Sequence, residues 1–127
     1  MTPRFFISAP FGNWVKPVGC IPVCGTFTLE PQGNRVWSVV KSLRYNTKHK
    51  GWMNNMGLPN PGVRVGLQQH IYGEVLSIAE IERNDFKKLY NIIPEGMSVE
   101  LNLSCPNLER GKKLPWDSAE SFARTKE

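Results

Sequence analysis

The sequence predicts an α/β fold built on parallel strands. Short apolar runs typical of strands alternate with a segment whose apolar residues recur at helical spacing. The third and fourth predicted strands begin about 24 residues apart, near Gly73 and Met97, which is typical of a strand–helix–strand unit and therefore of parallel strands. Loops rich in Asn and Gly follow the strands, and parallel α/β folds carry their chemistry at that end of the sheet.

Each predicted element rests on a local pattern. Clusters of apolar and β-branched residues predict four strands, at Arg4–Ser8, Cys20–Thr28, Gly73–Ala79 and Met97–Ser104. A helix is predicted after Pro61, and a second one between Glu80 and Ile93, where Pro94 and Gly96 end the apolar stripe.

Two further regions are less regular. The residues from Arg35 to Arg44 suit either a short irregular helix or an extended crossover. The stretch 46–62 shows little periodicity but contains large apolar residues, so we expect a long functional loop there. Asp117 followed by Glu120 resembles a capping box and predicts the start of a third helix.

The composition indicates a single globular domain over residues 1–127. Its apolar share of 40% and charged share of 21% are ordinary, and no apolar run approaches the roughly 18 residues of a membrane span. The net charge of +5 is scattered, so a solvated basic surface competes with a contribution to phosphate or carboxylate binding, and nucleic-acid binding is not expected. Three cysteines without a signal peptide indicate a reducing compartment, the cytoplasm. Cys20 and Cys24 lack the second ligand pair that a zinc site needs, so no metal is expected.

The densest chemical motif is the run Glu-Leu-Asn-Leu-Ser-Cys-Pro-Asn at the end of the fourth predicted strand. Alternation places Asn102 and Ser104 on one face of that strand, and Pro106 turns the chain out of the sheet directly after Cys105. A thiol held between amides can take or give a proton near neutral pH. The competing interpretation is a small buried cysteine beside ordinary turn asparagines.

A second motif, Asn-Asn-Met-Gly-Leu-Pro-Asn-Pro-Gly, runs from Asn54 to Gly62. Its Gly57 allows backbone N–H groups to approach an anion closely. Taken alone, the motif also fits a plain turn rich in Gly, Pro and Asn.

Together these motifs resemble the signatures of dihydroorotate dehydrogenases, most closely the soluble class 1 enzymes that carry cysteine in the strand-four block. The segment Cys24–Asn34 resembles the family's threonine-rich second strand and the turn after it, and Ile7–Asn13 resembles its first strand and flavin-contacting turn. The blocks follow the family's order from Arg4 to Leu108. The resemblance implies a partial TIM-type (β/α) barrel of about four parallel strands with crossover helices.

The resemblance also implies an FMN cofactor and roles for single residues. Cys105 matches the base that removes a proton from C5 of dihydroorotate, while hydride passes from C6 to N5 of the flavin and orotate forms for pyrimidine biosynthesis. The implied substrate-binding residues are Asn54, Met56, Gly57, Leu58, Asn102 and Asn107. The implied cofactor-binding residues are Ser8, Ala9, Gly12 and Thr26.

One residue departs from the family pattern. The family places a lysine immediately before the first threonine of the second strand, where it contacts flavin and substrate, and this chain has Gly25 there. The departure removes a cation that stabilises reduced, anionic flavin.

The chain would supply about half of an eight-stranded barrel of roughly 250 residues. Three interpretations therefore compete: an inactive fragment of a full enzyme, a split enzyme completed by a second chain or another copy, and a diverged half barrel that binds an orotate-like ligand without catalysis. The nearest competing chemistry is that of the related flavin-dependent dihydropyrimidine dehydrogenases. The sequence leaves the electron acceptor and the oligomeric state open.

Overall fold

The computed structural model describes residues 5–33, 40, 43–53 and 57–103. Its elements, in chain order, are β1 (Phe5–Ile7), a 3-10 turn (Phe11–Asn13), β2 (Cys20–Phe27), β3 (Arg44–Asn46), β4 (Gly51–Met53), α1 (Val63–Gln69), β5 (Val75–Ile78), α2 (Asp85–Ile92) and β6 (Val99–Leu101). Strands β1, β2, β5 and β6 form one parallel sheet in that order. The sheet curls into a partial barrel with helices, which confirms the predicted α/β partial barrel.

The unit β5–α2–β6 follows the sequence closely. Its two strands begin at Val75 and Val99, with the predicted spacing. Helix α2 is shorter than its apolar stripe because Asn84 adopts a left-handed conformation, with φ of 75°, just before the helix. Asp85 then accepts a hydrogen bond from the backbone N–H of Glu82 at 2.9 Å, which fixes the turn that enters the helix.

The helices cover one face of the sheet, which we call the outer face. The buried core there consists of Cys24, Phe27, Val63, Leu76, Ile78 and Leu89. The opposite, inner face carries polar side chains, among them Thr26, Ser77 and Asn102. None of the helices in the described ranges is long and apolar enough to cross a bilayer.

Strand β2 contains a bulge that decides which side chains face inward. Cys24 pairs with Leu76, but the next pair joins Phe27 to Ile78, so β2 has one residue more than β5 between these pairs. In a regular strand, residues three apart lie on opposite faces. The extra residue instead places both Cys24 and Phe27 in the outer core.

Strands β3 and β4 form an antiparallel hairpin where we expected a long irregular loop. Tyr45 and Trp52 lie opposite each other, with ring centroids 5.5 Å apart in an edge-to-face arrangement. The side-chain oxygen of Asn46 accepts a hydrogen bond from the backbone N–H of His49 at 3.1 Å and closes the turn. The loop prediction is therefore wrong for the first part of this stretch. Residues 34–39 and 41–42, where a helix or a crossover was expected, lie outside the described residues.

Candidate functional site at the carboxyl ends of the strands

A chain of polar side chains crosses the inner face near the carboxyl ends of β2, β5 and β6. The Oγ atoms of Thr26 and Ser77 lie 2.9 Å apart. The Asn102 amide donates to Thr26 Oγ1 at 2.9 Å, and the Ser77 hydroxyl donates to Glu100 Oε1 at 2.8 Å. Thr26, implied to border the cofactor, and Asn102, implied to bind substrate, are 76 residues apart in sequence and directly hydrogen-bonded here.

Burial falls along this chain from its middle to its ends. Ser77 is fully buried and Thr26 is 8% exposed, whereas Asn102 is half-buried and Glu100 is exposed. Buried hydroxyl groups need hydrogen-bond partners, and the hydroxyls of Thr26 and Ser77 each have two. The arrangement therefore holds Thr26 and Asn102 in fixed positions at the rim of the inner face.

Two features of the preceding residue, Gly25, fix the backbone beside Thr26. The side chain of Asn13 donates to Gly25 O at 3.0 Å and accepts from Gly25 N at 2.9 Å, so the turn after β1 is tied to the bulge. Gly25 has φ of +126°, and a Cβ there would lie 2.5 Å from the carbonyl oxygen of Ser77. The backbone of β2 thus has no room for the lysine that the family pattern places at this position.

Asn60 anchors the Gly57–Gly62 loop at the end of β2. Its Oδ1 accepts hydrogen bonds from the backbone N–H groups of Thr28 at 3.0 Å and Gly62 at 2.9 Å, and its Nδ2 donates to Leu58 O at 2.8 Å. Two further backbone hydrogen bonds of 2.9 Å join Asn60 to Gln32. Gly57 and Leu58, both half-buried, are therefore held beside the carboxyl end of β2, the same end as Thr26.

The turn after β1 contains the three other implied cofactor residues. Ser8 is exposed, Ala9 is half-buried and Gly12 is buried. The N–H of Gly12 donates to Ser8 O at 3.2 Å, and a Cβ on Gly12 would lie 2.3 Å from the carbonyl oxygen of Val23. The glycine is thus required for packing against β2. A role of these residues in binding a cofactor stays a prediction.

Four implied site residues lie outside the described residues: Asn54, Met56, Cys105 and Asn107. The catalytic assignment of Cys105 therefore stays a prediction. Within the described ranges, no group of three or more His, Cys, Asp or Glu side chains is placed to hold a metal ion.

Sequence reasoning missed Asn13, Asn60, Ser77 and Glu100. For the last two a signal was present, because Glu100 alternates with Asn102 and Ser77 interrupts an otherwise apolar strand. Asn60 stands in an Asn-Pro-Gly turn, which predicts a turn but not its anchoring contacts.

A second polar cluster lies among Lys16, Cys24 and Glu74, beside the outer core. The buried Glu74 carboxylate pairs with the Lys16 ammonium, accepts from Ile71 N at 3.1 Å and lies 3.4 Å from Cys24 Sγ. Burial by itself would raise the pKa of Glu74, but the hydrogen bonds from Lys16, Ile71 and Cys24 outweigh it and lower that pKa.

The Cys24 thiol is protonated at neutral pH. Its burial first, and the neighbouring Glu74 carboxylate second, raise the pKa of Cys24 to about 11. A nucleophilic or redox-active cysteine requires the opposite shift. This cluster therefore ties the turn before β2 to the start of β5 and supplies no nucleophile.

Comparisons with known proteins point to one family. No family model matches the chain, and no solved structure is significantly similar to it. It is similar to the catalytic subunit of dihydroorotate dehydrogenase B (NAD(+)) from Endomicrobium trichonymphae, with 27% identity over 125 residues, covering 85% of this chain and 39% of that protein. The same subunit from Cutibacterium acnes is 31% identical over 107 residues, covering 74% of this chain and 33% of that protein. The chain thus spans between a third and two fifths of the length of these curated relatives.

Proposed function

We propose that this chain is part of a dihydroorotate dehydrogenase-type enzyme of the cytoplasm, corresponds to the N-terminal half of its barrel, and borders the site where dihydroorotate is oxidised to orotate with FMN. The similarity to two dihydroorotate dehydrogenase B catalytic subunits supports this proposal. The observation that carries it is the contact between Thr26 and Asn102 at the carboxyl edge of the sheet, because ligands of parallel barrels bind at that edge.

The described side chains at this edge suit a polar heterocycle. The amide of Asn102 and the hydroxyl of Thr26 are neutral hydrogen-bonding groups of the kind that recognise ring N–H and carbonyl groups. Bound FMN would supply the hydride acceptor. In this proposal Asn102 orients the pyrimidine, the backbone at Gly57 and Leu58 borders its carboxylate, and Cys105 takes the proton.

The two edge strands support the proposal of a larger barrel. Within the described residues, β1 and β6 are each hydrogen-bonded to a neighbour on one side only. Phe5 is 63% exposed on β1 and Leu101 is 53% exposed on β6. Exposed apolar edge strands favour pairing with further strands, which a complete barrel provides.

Gly25 favours a second candidate function, the binding of an orotate-like ligand without redox chemistry. The missing Cβ and the 2.5 Å approach to Ser77 O leave no place for a cation from β2. The resemblance assigns to that cation the stabilisation of reduced flavin. A site without it still offers Asn102 to a pyrimidine.

Titration calorimetry of the purified chain with orotate, with and without FMN, tests both functions. Binding that requires FMN supports the enzyme, and equal binding without FMN supports the ligand-binding module. In either case Asn102→Ala should weaken binding by about tenfold or more, because it removes a hydrogen bond to the ligand. Asn91→Ala, an exposed asparagine on α2, is the matched control.

Two outcomes decide against the proposal. If neither orotate nor FMN binds the chain or changes its absorbance, the site is not a pyrimidine or flavin site. If uracil, which lacks the carboxylate, binds as tightly as orotate, the dihydropyrimidine chemistry of related flavin enzymes replaces the oxidation of dihydroorotate.

A further inference from the structure

The hydrogen-bond chain on the inner face has a direction that follows from counting its protons. A carboxylate can only accept, so Ser77 must use its single hydroxyl proton on Glu100, at 2.8 Å. The Ser77 oxygen is then the acceptor in its 2.9 Å contact with Thr26. Thr26 must therefore donate its own proton to Ser77.

The same count of protons fixes the orientation of the Asn102 side-chain amide. Because the Thr26 proton is committed to Ser77, the Thr26 oxygen can only accept from Asn102. Only the Nδ2 end of a carboxamide donates, so Nδ2 faces Thr26 at 2.9 Å and Oδ1 lies on the far side of the amide. The direction thus runs from Asn102 through Thr26 and Ser77 to the Glu100 carboxylate.

We propose that Ser77 and Glu100 are positioning residues that lock the Asn102 amide in one orientation and make Thr26 an acceptor only. Since Oδ1 of Asn102 and the oxygen of Thr26 can then only accept, a ligand group that meets either atom has to be a donor. The site therefore selects ring N–H groups over ring carbonyl groups at this point. This selectivity rests on the proposed function, whereas the orientation of the amide does not.

Nuclear magnetic resonance of the isotope-labelled full chain tests the orientation without any ligand. In the wild type we expect one pair of Asn102 side-chain amide signals, with a nuclear Overhauser effect to the Thr26 methyl group and slowed hydrogen exchange. In Ser77→Ala the Thr26 proton loses its acceptor and can turn toward Asn102. The amide should then populate both orientations, and its protons should exchange about five- to tenfold faster.

Glu100→Gln provides a second variant at an exposed position, and it decides the question if Ser77→Ala does not fold. Glutamine can accept from Ser77 or donate to it, so both directions of the chain become allowed and a second set of Asn102 signals should appear. Ser98→Ala and Glu95→Gln, both exposed and close to β6 in sequence, are matched controls and should leave the Asn102 signals unchanged. Wild-type signals of Asn102 in Glu100→Gln, and in Ser77→Ala if that variant folds, would overturn the proposal.

Titration of the same samples with orotate tests the selectivity separately from the orientation of the Asn102 amide. If the two orientations of the amide are about equally populated in Glu100→Gln, its affinity for orotate should fall about twofold, and an unchanged affinity overturns the selectivity. If the wild type does not bind orotate although its Asn102 amide is locked, the proposed function is wrong and the positioning role stands.

Discussion

The side chain of Asn13 and the backbone of Gly25 form two reciprocal hydrogen bonds, of 3.0 Å from Nδ2 to the carbonyl oxygen and 2.9 Å from the N–H to Oδ1. Because Gly25 is buried, these bonds satisfy backbone groups that water cannot reach. Asn13→Ala should lower the free energy of unfolding by about 2–3 kcal/mol, measured by urea denaturation. Asn13→Asp keeps the acceptor but loses the donor, so a stability equal to that of the wild type would show that the hydrogen bond from Nδ2 to the Gly25 carbonyl contributes nothing.

Gly25 should tolerate no side chain. Gly25→Ala combines an unfavourable positive φ with the 2.5 Å approach to Ser77 O. Gly19 is the matched control because its φ is +84° and nothing lies within 4 Å of a Cβ built there. We expect Gly19→Ala to cost about 1 kcal/mol and Gly25→Ala to cost about 2 kcal/mol more, owing to the overpacking. Equal losses of thermal stability in the two variants would contradict the close approach, and Gly25→Lys should be at least as unstable as Gly25→Ala.

Lys16 should stabilise the fold through the buried carboxylate of Glu74. In the wild type the pKa of Glu74 is lowered, so its contribution is present at neutral pH and is lost as the pH falls through the native pKa. In Lys16→Met the Glu74 carboxylate loses its cation, and its burial then favours the protonated form. We expect a loss of roughly 1–3 kcal/mol at about pH 7 and a smaller loss at about pH 4, where the group is protonated more readily.

Urea denaturation at the two pH values measures this effect. Lys87→Met, at an exposed position of α2, is the control and should change stability little at either pH. The double variant Lys16→Met with Glu74→Gln should recover part of the loss at neutral pH. A loss in Lys16→Met that is independent of pH would show that packing of the lysine stem, and not its charge, is what matters.

Cys24 should make stability fall in alkaline solution. Since burial and Glu74 raise its pKa to about 11, the unfolded chain releases this proton at a lower pH than the native chain. The contribution is complete below the unfolded pKa and is lost as the pH rises toward about 11. Denaturation curves of the wild type should show this decline more steeply than those of Cys24→Ser, and parallel curves would refute it.

Alkylation of the thiol gives an independent measurement. In a variant with serine at positions 20 and 105, Cys24 should react slowly with iodoacetamide in the native state and rapidly in urea. A variant that retains only the half-buried Cys20 is the comparison. Native Cys24 reacting as fast as Cys20 would contradict the burial and the raised pKa of the Cys24 thiol.

Elements with local signals could be predicted from the sequence. The strands β5 and β6 and the helix between them follow from an apolar run, a helical stripe and the Pro94–Gly96 stop. The hairpin β3–β4 could not be predicted, because the contact between Tyr45 and Trp52 exists only once the two strands have paired. Its turn also lacks the Asn-Gly or Asp-Gly signal, and Lys50 adopts φ of 46° where glycine is usual.

The candidate site was predictable in part for a similar reason. The resemblance picked out Thr26 and Asn102, and the structure brings them into contact. Their supports, Ser77 and Glu100, belong to neighbouring strands, so their role depends on the register between β5 and β6. Register depends on how two strands pair, so the sequence of one strand alone does not determine it.

The bulge in β2 has a consequence for how this segment can change during evolution. Deleting Gly25 would remove the extra residue and leave Thr26 alone between Cys24 and Phe27, so alternation would still direct its hydroxyl away from the outer core. A homologous strand that is one residue shorter can therefore keep this threonine in place, but it lacks the backbone groups of Gly25 to which Asn13 is hydrogen-bonded here.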